Sequence, residues 1–157
     1  MGTVRRLALA FLATGATAVL AVDPRPVVAY SKKAKFEEVR DDLKLAIEGK
    51  GLVIDYQSYV GRMLERTGKD VGSARKLYTD AQAFVFCSAA LSRKTMEADP
   101  HNIVYCPYII SVYVLPNEPK KTYVSFRKPE IVGSPASKVA LKNIEKLLRS
   151  IIKDALQ

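Results

Sequence analysis

The chain has 157 residues, 48% of them hydrophobic and 26% charged, which fits one globular domain and excludes a disordered or collagen-like chain. Lys and Arg number 25 against 16 Asp and Glu, a formal net charge of +9 that invites a nucleic-acid reading unless the chain leaves the cytoplasm. With one histidine, no tryptophan and two cysteines, the cysteine pair is the chemistry to follow.

Residues 1–29 read as a signal peptide. Arg5 and Arg6 form a basic start, and Leu7 to Val22 then runs for 16 residues without a charge. That run is shorter than the ~20 residues of a spanning helix. Small residues permit cleavage after Ala21 or after Ala29, leaving a mature domain of about 30–157. Loss of Arg5 and Arg6 lowers the charge from +9 to +7; cleavage at Ala29 also removes Arg25 and Asp23, which cancel. The expected location is periplasmic or secreted. There nucleic acid is not the expected partner; a small ligand, an acidic extracytoplasmic protein or an anionic membrane surface is.

Along the mature chain, Arg25 to Tyr30 is a short candidate strand. Lys35 to Lys50 is helical, with Phe36, Val39, Leu43, Ala46 and Ile47 on one face and Glu37, Glu38, Asp41 and Asp42 in its first half. Gly49 and Gly51 end it. Leu52 to Tyr56 is strand-like, Tyr59 to Arg66 a short helix closed by Gly68, and Lys69 to Ser73 a loop. Gln82 to Cys87 is a short apolar strand. Ala89 to Ala98 is a helix that Ser88 caps and Asp99-Pro100 stops. Tyr108 to Leu115 alternates with both faces substantially apolar, as in a central strand, and pairs with Thr122 to Lys128 as a hairpin. In the last helix Ser134 caps, Pro135 opens, and Ile144, Leu147, Leu148, Ile151, Ile152 and Ala155 form one stripe. Lys142, Lys146, Arg149 and Lys153 line the opposite face, read as solvated. The expected fold class is α+β, a mainly antiparallel sheet with helices packed on one face.

Cys87 ends a strand and precedes a helix; Cys106 precedes the next strand. If the two strands pair antiparallel, the end of one lies beside the start of the other, and the sulfurs come within reach. Three readings stay open. A structural disulfide is the default in an oxidising compartment, worth roughly 3 kcal/mol on the chain-entropy model. A redox pair is the second, since a helix N-terminus with Arg93 and Lys94 nearby lowers a thiol pKa. A Cu(I) site completed by Met96 and His101 is the third; His101 otherwise reads as a surface loop residue.

Nothing in the sequence matches a hydrolase elbow, a phosphate-binding loop, a zinc-protease motif or a haem-attachment motif, so no catalytic residue, metal or cofactor is assigned. Tyr105, Tyr108, Tyr113 and Tyr123 crowd the last two strands, by β-propensity or as the aromatic wall of a cleft. The candidate binding cleft comprises Ser88, Ser92, Arg93, Tyr105, Pro107 and Tyr108.

The stretch Phe86-Cys87-Ser88-Ala89-Ala90-Leu91-Ser92-Arg93-Lys94-Thr95-Met96-Glu97-Ala98-Asp99-Pro100, followed by Val104-Tyr105-Cys106-Pro107-Tyr108, resembles the family known as domain of unknown function 302. Phe36-Glu37-Glu38 and Ile47-Glu48-Gly49-Lys50-Gly51-Leu52 resemble its first helix. The resemblance covers about Lys35 to Lys128, the final helix is compatible with it, and the extracytoplasmic members are the most similar. It implies a compact domain similar to the TATA-binding-protein-like fold, and no established activity, substrate or cofactor. The expectation is a small binding or accessory domain with its cleft near Cys106-Pro107-Tyr108. The alternative is a thiol–disulfide or Cu(I)-handling protein using Cys87 and Cys106.

Overall fold

A computed structural model describes residues 26–73 and 75–157. The basic and apolar stretch read as a signal peptide, with its cleavage position at Ala21, lies outside the described residues. The chain runs β1 (Val27–Lys32), α1 (Phe36–Glu48), β2 (Ile54–Ser58), α2 (Val60–Thr67), β3 (Asp80–Phe86) and α3 (Ala89–Ala98). A 3-10 turn (Pro100–Tyr105) then leads to β4 (Tyr108–Val114), β5 (Thr122–Arg127) and α4 (Pro135–Ala155). The expected order is present, with the 3-10 turn added.

The five strands form one sheet in the order β1-β5-β4-β3-β2, every neighbouring pair antiparallel. β4 and β5 are the expected hairpin, and β4 is the middle strand. β1 closes one edge on β5 from Val27↔Arg127 to Lys32↔Thr122. The alternative cleavage position, Ala29, therefore lies inside a paired strand.

One face of the sheet carries the core. Phe84, Ile110, Val112 and Val124 point into a cluster with Val39, Leu43 and Ile47 of α1 and with Leu141, Ile144, Ile151 and Ile152 of α4. Each such side chain, fully removed from water, contributes about 1.5–3 kcal/mol. Helix boundaries follow local chemistry. Ser134 Oγ accepts from the Ser137 amide at 3.1 Å, and Pro135 occupies the first turn where no amide is needed. Glu37 and Glu38 lie at the positive end of α1, and Gly51, at φ 71, turns the chain after it.

β4 is central by hydrogen bonding but covered by helix on one face alone. On its other face Ile109 is 49% exposed, and Tyr113 stacks on Tyr123 with Tyr78 edge-on. Aromatic neighbours across the strands, rather than a second helical layer, account for its apolar second face. On the polar side of α4, Lys142, Lys146 and Lys153 are exposed as expected, and Arg149 alone of the four is half-buried. Arg149 donates to Glu145 and to Tyr30 Oη at 2.8 Å, with its guanidinium 6.0 Å from the Phe126 ring centre. That residue ties α4 to the first edge strand.

Candidate functional site

β3 ends at Phe86, and its last rung pairs Phe86 with Tyr108 at the start of β4. The residues just beyond that rung must therefore adjoin. Cys87 leaves β3 before Ser88 caps α3, and Cys106 follows the 3-10 turn into a cis Cys106-Pro107 bond. The two sulfurs stand 2.6 Å apart, both half-buried and both free thiols. The antiparallel pairing expected of these strands is what brings them together.

Ser92, one turn into α3, donates from Oγ to Cys106 Sγ at 3.4 Å and lies 3.3 Å from Tyr108 Oη. Burial pushes the Tyr108 hydroxyl above its ordinary pKa. The turn that delivers Cys106 is fixed from below. Buried Asn102 donates to the Thr95 carbonyl at 3.0 Å and to Ser137 Oγ at 2.5 Å, joining the turn to the end of α3 and the start of α4. Asp99 accepts from the His101 amide at 2.9 Å.

Electrostatics at Cys87 run opposite to the sequence expectation. Its thiol is pushed up to about 12, first by burial and then by the adjoining Cys106, while the Tyr108 amide pulls weakly the other way. Arg93 does not offset this: it is exposed and paired with Glu97 at 3.3 Å. Cys87 thus keeps its proton at neutral pH, and either sulfur can donate to the other.

Beside this pair lies a cavity of about 410 Å³ between the 3-10 turn, the start of β4 and the segment after β5. Of the six candidate cleft residues, Tyr105, Pro107 and Tyr108 line it. The other three stand elsewhere: Ser92 faces the sulfurs, Ser88 accepts the Leu91 amide as helix cap at 3.4 Å, and Arg93 points to solvent. Sequence reasoning missed Arg127, Lys128 and Glu130, which form the far wall, and Asn102, which anchors the turn. The end of β5 was legible at Lys128-Pro129, but nothing there signals that the segment faces Tyr105. The tyrosines divide into two groups, with Tyr105 and Tyr108 at the cavity and Tyr113 and Tyr123 stacked elsewhere on the sheet. Among the described residues, no group of three or more His, Cys, Asp or Glu is placed to hold a metal. His101 is exposed on the 3-10 turn.

Comparison with known proteins agrees with this architecture. No curated protein matches the chain. Among solved structures it is similar to the crystal structure of an uncharacterized conserved protein DUF302 from Bacillus stearothermophilus. That similarity has a TM-score of 0.68 at 17% identity, covering 82% of this chain and 97% of the other. At that identity the likeness establishes the fold. The family profile described as "Domain of unknown function DUF302" matches residues 27–157, from the first residue of β1 to the C-terminus and so beyond the stretch in which the resemblance was read. The chain belongs to that family.

Proposed function

We propose that the protein is an exported thiol–disulfide exchange domain whose reacting centre is the Cys87–Cys106 pair. One observation carries the reading: two free cysteines from different elements hold their sulfurs 2.6 Å apart, half-exposed, with a hydroxyl on Cys106. The apolar stretch Leu7–Val22 supports export. Cleavage after Ala21 is the favoured site, since it leaves β1 whole.

In the exchange, Cys106 gives its proton to solvent and attacks one sulfur of an incoming disulfide, R–S–S–R. The Cys106–S–S–R bond forms as the R–S–S–R bond breaks, and the departing thiolate takes a proton. Cys87 then releases its proton and displaces the second R–S⁻ from Cys106. The pair gives up two electrons and two protons, and the external disulfide becomes two thiols.

Mass spectrometry of reduced protein after exposure to a small disulfide tests this. The expected product has lost two thiols and two hydrogens and carries no adduct, whereas Cys87→Ser accumulates a mixed disulfide on Cys106. Unchanged thiols in both proteins would overturn the proposal. A second reading, a binding domain for a small ligand, is favoured by the cavity beside Cys106-Pro107-Tyr108, whose volume lies within the usual range of ligand sites.

A further inference from the structure

The cavity and the thiol pair flank the same short segment, since Tyr105 and Pro107 line the cavity and Cys106 lies between them. The cavity walls divide by chemistry. Tyr105, Pro107 and Ile109 form an apolar side; Arg127, Lys128 and Glu130 form a charged side. Those three charged residues are exposed, and among the described residues their side chains have neither an ion pair nor a hydrogen bond. Six ion pairs form elsewhere among the described residues, Lys121 with Glu118 and Arg149 with Glu145 among them, and none of the six borders the cavity. Two unpaired cations and one unpaired carboxylate around a cavity make a charge pattern that a ligand can complete.

From this pattern we infer that the cavity takes a small thiol or disulfide built from amino acids, with two carboxylates set against Arg127 and Lys128 and one ammonium set against Glu130. The inference rests on the exchange reading above and names its substrate class. A ligand held this way places its uncharged middle on the apolar side, next to the segment that carries Cys106. Oxidation of the pair then follows the balanced exchange already given, with the bound disulfide as oxidant and two carboxylated thiols as products.

The test compares two oxidants on reduced full-length protein: glutathione disulfide, which carries the charges, and hydroxyethyl disulfide, which has none. Replacing both cations (Arg127→Gln with Lys128→Gln) is expected to slow oxidation by glutathione disulfide roughly tenfold, since two exposed charge contacts are lost. Oxidation by hydroxyethyl disulfide is expected to stay unchanged, and added salt is expected to slow the first reaction in wild type alone. Equal effects on both oxidants, or no effect on either, would overturn the inference while leaving the exchange reading intact. If neither oxidant acts on the wild-type pair, the exchange reading fails. The cavity is then judged on binding: S-methylglutathione titrated into the Cys87→Ser/Cys106→Ser protein is expected to shift the amides of Tyr105 and Ile109. Absence of those shifts at millimolar ligand overturns the ligand assignment as well.

Discussion

The two ends of the sheet solve the same problem in opposite ways. At the β4–β5 turn, Lys121, Glu118 and Tyr123 satisfy one another, and Tyr123 stacks on Tyr113. At the other end, where β3 leaves and β4 begins, two thiols meet beside a cavity whose three charged side chains have no ion-pair or hydrogen-bond partner among the described residues. A closed polar cluster holds a turn; an open one is free to take a ligand. Position on the sheet does not distinguish the two ends, and both are rich in tyrosine. The state of their polar groups does.

The largest change expected from breaking this contrast is Cys106→Ser. It abolishes two-electron oxidation of the protein, read as the loss of the product lacking two hydrogens, and leaves the fold intact because Ser92 keeps a hydroxyl partner there. In the same variant, alkylation should find Cys87 slow at neutral pH. Burial alone still opposes its thiolate, so the rate climbs only above the ordinary thiol range. Linkage has the matching sign. The folded-state pKa of Cys87 is raised, so its contribution to stability is whole below the ordinary thiol value and fades as the pH rises toward about 12. Denaturant melts of wild type and Cys87→Ser over that alkaline range should diverge.

Next in size is Asn102→Ala, which leaves the Thr95 carbonyl and Ser137 hydroxyl short of a donor. About 1–3 kcal/mol of unfolding free energy should be lost, and disulfide closure should slow, because the turn that sets Cys106 is loosened. Ser88→Ala removes one cap from α3 and should cost about 1 kcal/mol by chemical denaturation. Smallest is Glu118→Gln at the closed end. Lys121, then Tyr123, holds the Glu118 carboxyl below its usual range, so its contribution is present at neutral pH and fades as acid protonates it. It lies at the surface and is only partly buried, so the melt should move little, and neither oxidation rate should change. A change in thiol reactivity from this variant would show that the two ends are coupled.

Much of this was legible because local signals agreed. Ser88 and Asp99-Pro100 bound α3 at the residues observed, and Ser134-Pro135 start α4. Alternation in β4 placed Tyr108, Ile110, Val112 and Val114 on the buried face. Boundaries slipped where apolar content was thin: β2 lies at Ile54–Ser58 rather than Leu52–Tyr56, and β3 begins at Asp80 rather than Gln82. The meeting of the cysteines was conditional on strand pairing, and that pairing formed. What sequence could not carry was contact between distant segments. Asn102 reaches Ser137, Tyr105 faces Glu130, and the Cys87 thiol is governed by burial rather than by the helix it precedes.

The pairing of β1 with β5 has a consequence for the order in which the domain forms. Val27 faces Arg127 across nearly the whole domain, whereas β3 and β4 are 21 residues apart, through α3 and the 3-10 turn, and β4 and β5 are joined by a turn. Contacts close in sequence form first because they close smaller loops. As the chain emerges from its N-terminus, Val27 waits for its partner Arg127, 100 positions later, while the unit that joins Cys87 to Cys106 is complete by the end of β4. The sulfurs therefore meet on a partly built sheet, and the last edge seals afterwards. A chain halted beyond β4 but short of β5 would report this sequence of events through the accessibility of its thiols.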